Sequence, residues 1–469
     1  MEARDPLLVP SPSYGATSQK GSRLEAAVLA RSLAPLIITF LLQFLLETTT
    51  IFVSGRLGST ELAVVSLGLC SFNITAVAFY QGMSTSLDSF CSQAFGAGRP
   101  HMVGVYFQRC SVMMLAVTAF PLLPLWWFSG LILKRLVPSE DLALQCQTFL
   151  RIMIIGAPGL LFFETAKRFF QAQHIFNAGT YALAVSVPLH GVLNWFLVLS
   201  PTTGLGLVGL PIALSVSYWI NPIVLLFYAV FVDGTGCWGG IDWRKASVNW
   251  KPMLRLAVPG VVMVEAEYLA FEVMTILAAS FGTTALAAQS IGSNVGGIAF
   301  QVPFAVSVAV TTRVGHFIGL QDIKAAQSVT RTSICVGAGM GVLNFVVLFF
   351  GRTPISSLYS DDSRVVHTAS KVLALAAINQ IADCTNIVTA GVLRGQGRQK
   401  IGSYLNLASY YLVAIPSAYF FAFKLDTEVY GLWFGLICGV TVLALGEVFC
   451  VVRSRWEHIV DECSRNHDA

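Results

Sequence analysis

The chain has 469 residues, 55% of them hydrophobic and only 12% charged, about half the charged share of a soluble domain. That balance excludes an ordinary soluble enzyme, and a formal charge of +4 spread over short loops rather than gathered in a stripe argues against a nucleic-acid-binding face. The ten cysteines show no CxxC spacing, and Cys70, Cys91, Cys110, Cys335, Cys384, Cys438 and Cys450 lie in or beside apolar segments, where small packing residues are expected rather than disulfides.

In chain order, residues 1–31, with "PLLVPSPSYGATSQKG", read as a disordered cytosolic tail. The first apolar run spans about 24 residues, too long for the core of a cleaved signal, and lacks a small-x-small exit. Twelve spans follow, each long enough to cross about 30 Å of hydrocarbon as a helix. They are 32–55, 62–91, 110–133, 143–165, 178–199, 206–232, 256–281, 284–312, 332–351, 372–393, 404–424 and 431–452. The expectation is an all-α polytopic membrane protein with an N-terminal six-helix bundle over 32–232 and a joint over 233–255. A C-terminal six-helix bundle over 256–452 and a cytosolic tail over 453–469 complete it.

An even number of spans puts both termini on one side. With the termini in the cytosol, cytosolic segments hold 21 Lys and Arg and outer loops hold seven, so the positive-inside rule favours cytosolic termini.

The chain also resembles itself. "LGSTELAVVSLG" (Leu57 to Gly68) precedes "FGTTALAAQSIG" (Phe281 to Gly292) by 224 residues, with six of twelve positions identical. Pro35 and Pro259 share that offset, and "FGAGR" at Phe95 pairs with "IGLQD" at Ile318 after a one-residue gap. The halves begin on the same side, which makes the repeat parallel, and such halves commonly rock around a midplane site. The joint between them, "DGTGCWGGIDWRKASVNWK", spells Gly234-x-Gly236-x-x-Gly239. A dinucleotide fingerprint needs a strand before it and a helix after it in a βαβ unit, so a flexible linker is the better reading. No Walker sequence is present, and no cofactor or metal is expected.

Acids inside spans carry the functional signal, because an Asp at mid-membrane costs about 2.5–3.5 kcal/mol and usually faces a cavity, a partner or an ion path. Glu164 and Glu447 lie near cytosolic helix ends and read as solvated termini. Asp88 reads as a partner of Arg99 or a loop cap, with a functional role as the alternative. Span 7 holds Glu265, Glu267 and Glu272 without a Lys or Arg. At 100° per residue Glu265 and Glu272 nearly share a face, while Glu267 lies about 140° from Glu272. A carboxyl without a counter-ion at that depth can stay protonated, as an exchanger requires. Asp383 sits among Asn379, Gln380, Thr385 and Asn386 on a polar span that either packs against another helix or lines a cavity. His190 and Asn194, four residues apart, point to an interhelical hydrogen bond rather than a metal site, and Glu47 in span 1 is a further acid.

Together, "LAVPGVVMVEAEYLAFEV", "LAAQSIG", "VPFAVSVAVTTRVGHFIGLQD" and "GVLRGQGRQKIGSYLN" resemble the multidrug and toxic compound extrusion (MATE) family in its eukaryotic branch. The resemblance covers nearly all of the chain except the tails. It implies a V-shaped twelve-helix fold with a central cavity, exporting organic cations or drugs in exchange for protons or sodium, with protons usual in the eukaryotic branch. The family's seventh-helix glutamates match Glu267 and Glu272, and its tenth-helix carboxylate matches Asp383. Its eighth-helix glutamate falls on Asn294, a departure that removes one acid and for which Glu265 is a substitute candidate. A first-helix Asp of many prokaryotic members aligns with Thr50, and Glu47 matches it only by approximate face.

The expected protein is therefore a monomeric secondary antiporter, not an enzyme, exporting a small organic cation by alternating access. Glu272 and Asp383 form its expected central pair, Glu267 is a second proton or cation ligand, and Glu265, Asn294, Glu47 and Asn194 are auxiliary cavity candidates. Its bilayer is the plasma or vacuolar membrane. The alternatives are a flippase of a lipid-linked substrate, a sodium-coupled exporter, a channel, and a transferase using His190.

Overall fold

The computed structural model describes residues 18–136 and 139–468, and among these every regular element is helical. The helices of the first half are α1 (Ser18–Leu57), α2 (Ser59–Gly96), α3 (Pro100–Trp127), α4 (Glu140–Ala172), α5 (Asn177–Leu199) and α6 (Gly206–Phe231). Those of the second half are α7 (Trp250–Ala279), α8 (Thr283–Gly319), α9 (Ile323–Tyr359), α10 (Ser363–Gly395), α11 (Gln399–Lys424) and α12 (Glu428–Val452), followed by α13 (Trp456–Asp468). Eleven of the first twelve are long and apolar enough to cross a membrane. The other, α7, has 30 residues, about 45 Å of helix, and its apolar character is broken by its three glutamates.

The N-terminal tail differs from expectation. Residues 18–31, read as part of a disordered tail, begin α1, while 1–17 lie outside the described residues. The C-terminal tail is helical because Trp456, Ile459, Val460 and Cys463 form a buried stripe at helical spacing. Gln321 Nε2 in the α8–α9 turn donates to Ser464 Oγ at 3.3 Å.

The repeat is visible in the backbone. Turns that correspond between the halves adopt positive φ at matching places: Gly58 and Gly282 after α1 and α7, Gly98 and Gln321 after α2 and α8, His174 and Gly397 after α4 and α10. Glycine takes this conformation without penalty, yet Gln321 (φ 60) and His174 (φ 63) adopt it too. His174 is compensated by burial against Phe95 and Phe176.

The chain forms two compact units, one running essentially from Pro35 to Val261 and the other from Val262 onward. In the first, Phe72, Tyr80, Met113, Trp126 and Phe163 are fully enclosed. Their polar ends are satisfied, Trp126 Nε1 by Thr75 Oγ1 and Tyr80 OH by Thr118 Oγ1, both at 2.8 Å. In the second, small residues let helices approach closely, as membrane helices do. Gly435 and Gly439 of α12 abut Ala418 and Ala414 of α11, and Gly391 of α10 abuts Ser307 of α8.

The boundary between units falls inside α7, not in the joint. Met253 and Ala257 belong to the first core, whereas Ala266, Ala270, Met274 and Ala278 belong to the second. Gly260 and Val261 lie against Gly82 of α2 so closely that a side chain at Gly82 has no room.

The joint itself is packed rather than loose. Gln108 of α3 donates to Gly240 O at 2.7 Å and accepts from Asp242 N at 2.8 Å. Asp242 caps the short helix Trp243–Ala246 through Lys245 N, a bond that, with the Lys245 side chain, holds its carboxyl below the usual range. Cys237 is buried beside the backbone of Gly104, and burial pushes its thiol up to about 11. Since the thiolate is the nucleophile, Cys237 should resist a water-soluble maleimide in the folded protein and label on denaturation, as read by peptide mass spectrometry. Rapid labelling of the native protein would restore the flexible linker.

Candidate functional site

The second unit gathers the polar groups of α10 onto one strip. Asn379, Asp383 and Asn386 fall within about 60° of one another at helical spacing, and all are buried, as is Gln380. A chain of amides orients the carboxyl: Asn344 Nδ2 of α9 donates to Gln380 Oε1 at 3.0 Å, and Gln380 Nε2 reaches Asp383 Oδ2 at 3.4 Å. Asn386 also lies close enough to Asp383 to favour its charged form. The Oδ1 atoms of Asn379 and Asn386 are buried and receive no hydrogen bond from the described residues.

The acid of α7 that stands within electrostatic reach of Asp383 is Glu267, which also feels Arg394 near the end of α10. Arg394 is fixed from α8, with Nη2 donating to Ser307 Oγ at 2.7 Å and the guanidinium 5.6 Å from the centre of the Phe304 ring. Tyr410, on a π-helical stretch of α11 (Ala408–Ala414), is fully buried and lies in the field of Glu267, Asp383 and Glu447. Such one-turn widenings frequently mark functional positions.

The remaining candidates separate. Glu265 is half-buried and faces Tyr411 of α11, as expected two residues from Glu267, where α7 presents the opposite side. Glu272 is half-buried. Asn294 is exposed and accepts from Tyr359 OH at 2.8 Å, so the position of the expected eighth-helix acid is tied to the end of α9.

In the first unit, Glu47 accepts from Asn73 Nδ2 at 3.0 Å. His190 and Asn194 do form the expected contact: Asn194 Nδ2 donates to His190 Nε2 at 2.9 Å, which Thr50 Oγ1 also reaches at 3.0 Å. The imidazole proton then sits on Nδ1, 2.9 Å from Ser217 Oγ. Every ring nitrogen is engaged, as in a structural histidine.

Two acids read as solvated helix ends are not solvated. Glu164 is 1% exposed, bridged to Lys167 at 2.8 Å and to Arg168 at 2.7 Å, with Gln43 Nε2 donating at 3.0 Å. Arg168 Nε also lies 3.1 Å from Asp88, so Asp88 has Arg168 as an ion partner. Glu447 of α12 is fully buried, within electrostatic reach of Arg394 and Glu267. Lys167 and Arg168, three and four residues after Glu164, were the local signal for the first correction. Glu447 has no such neighbour in sequence.

Two six-helix repeats with polar clusters enclosed among helices long and apolar enough to cross a membrane are the frame of a membrane transporter. The MatE family profile matches residues 35–196 and 259–420, two segments separated by the same 224 residues as the internal repeat, and the chain belongs to the multidrug and toxic compound extrusion family. It is 39% identical over 444 residues to Uncharacterized transporter C4B3.13 of Schizosaccharomyces pombe, covering 95% of this chain and 82% of that one. It is also 39% identical over 436 residues to Uncharacterized transporter YDR338C of Saccharomyces cerevisiae, where it spans 93% of itself but 62% of the relative. A crystal structure of the eukaryotic MATE transporter AtDTX14 superposes with a TM-score of 0.89 at 26% identity, covering 95% of this chain and 99% of that one. The chain is thus a multi-pass membrane transporter of the eukaryotic branch.

Proposed function

We propose that the chain is a proton-driven antiporter that exports organic cations from the cytosol by alternating access, with both termini cytosolic. The observation that carries this reading is the pair Glu267 and Asp383, two carboxyls from different helices, with Glu267 in the field of Asp383. Acids coupled in this way take up and release protons as a unit, and a cationic solute can replace a proton without leaving an unpaired charge in the membrane. In the cycle, the deprotonated pair takes a cation from the cytosol. The halves then exchange exposure, and incoming protons displace the solute. The membrane potential adds about 2.3 kcal/mol per net charge per 100 mV.

Sodium coupling has one observation of its own. The unpartnered Oδ1 atoms of Asn379 and Asn386, together with the carboxylate of Asp383, are hard oxygen donors suited to an alkali cation.

The test is uptake of a fluorescent organic cation into proteoliposomes under a pH gradient or a sodium gradient at zero membrane potential. Proton coupling requires uptake that follows the pH gradient and persists without sodium. Uptake that follows only the sodium gradient assigns the amide oxygens to the coupling ion, and flux indifferent to both gradients discards the antiporter.

A further inference from the structure

We propose that Glu447 is a third proton-binding residue of the C-terminal half, passing protons between Glu267 and the membrane face at which α12 ends, with Arg394 as counter-charge. This rests on Glu267 being a coupling residue.

The argument begins with two buried glutamates that share chemistry and differ in surroundings. Glu164 has the pattern of a structural ion: both oxygens are engaged by Lys167, Arg168 and Gln43. Glu447 is equally enclosed, at 0% exposure, yet neither of its oxygens accepts a hydrogen bond from any described residue. A fixed carboxylate in such a place costs several kcal/mol, and leucine would fill the volume without that cost. A carboxyl that gains and loses a proton has a reason to be there.

The groups facing Glu447 come from three helices. Arg394 of α10 and Glu267 of α7 act on it electrostatically, and it acts in turn on Tyr410 of α11. Arg394 is held by Ser307 and Phe304 of α8, so its charge is positioned and acts on both glutamates through space. One charge serving two acids stabilises one carboxylate at a time.

The transfer then balances. The proton on the Glu267 carboxyl passes to the Glu447 carboxylate, and the negative charge moves the other way without leaving the field of Arg394. Glu447 lies five residues before Val452 at the end of α12, about 7.5 Å of helix, and water at that end takes the proton as Glu447 returns to its carboxylate. Substrate does not enter this step.

The experiment is a pH-difference infrared spectrum of the full-length protein in lipid, comparing wild type with Glu447→Gln. The proposal expects the variant to lose one protonated-carboxyl C=O band, and the pH profile of cation exchange to flatten while cation binding at fixed pH is retained. An unchanged set of carboxyl bands would show Glu447 permanently ionised against Arg394 and overturn the proposal. If Glu447→Gln does not accumulate, Glu447→Asp keeps a carboxyl in an altered position, and its band must shift from the wild-type frequency; an unshifted band has the same overturning force. Because the spectrum is read without a solute gradient, a transporter driven by sodium alone would refute the proposed coupling and still leave the Glu447 band to be scored separately.

Discussion

Asp383→Asn and Glu267→Gln should each reduce proton-driven uptake roughly a hundredfold or more, the scale on which the loss of a proton-transfer group acts. The two variants remove charge at nearly constant volume, so the Gln380 and Asn344 amides that orient Asp383 keep their packing and the protein should fold. Because the two carboxyls sense each other, the double variant should be little worse than either single one, a departure from additivity typical of groups that act together. Glu272→Gln is the informative comparison. A smaller loss there than at Glu267 would locate coupling at the pair the geometry brings together. Equal or greater loss at Glu272 would return the central role to the pair expected from the sequence, and full uptake by Asp383→Asn would remove the pair from the mechanism.

Glu164→Ala should be the most destabilising of the substitutions considered, by about 3–5 kcal/mol, the cost of stranding a buried partner. Lys167 is 3% exposed and, among the described residues, its ammonium donates to Glu164 and to Gln43 Oε1, so it has no route to water when the carboxylate is removed. Arg168 keeps Asp88 and the carbonyl of Gln81 and suffers less. A fall in the thermal midpoint in detergent reads the effect, and Glu164→Ala combined with Lys167→Met should recover part of it because the stranded ammonium is gone. An unchanged midpoint in the single variant would mean that the network contributes nothing net to the fold.

The number of spans, the 224-residue repeat and the family were legible because lipid demands long apolar helices and because duplication leaves turns at matching places. The side chains that fill the clusters were less legible. Glu164 and Glu447 lie near helix ends, and a sequence places such residues in water by default; only the helices packed around them remove that water. The choice between Glu267 and Glu272 depends on how α7 is rotated as it passes Pro259, which helical periodicity alone leaves open. Tyr410 carried no sign in the sequence, since its position depends on a local widening of α11. The joint looked like a flexible linker because glycines and polar residues dominate it, and its docking through Gln108 and Cys237 is a tertiary property.

The division of α7 between two cores also bears on how the chain enters the bilayer. As the ribosome delivers the helices in order, α7 is the one of the first twelve that fails the test of apolar length, and three acids oppose its release into lipid. Its first segment, however, meets a finished surface: Gly82 of α2 already presents the gap that Gly260 and Val261 fill. The charged groups that act on Glu267, Asp383 and Arg394 on α10, have yet to be synthesised. The earlier half therefore offers the first segment of α7 a packing partner before the helices that face Glu267 are made.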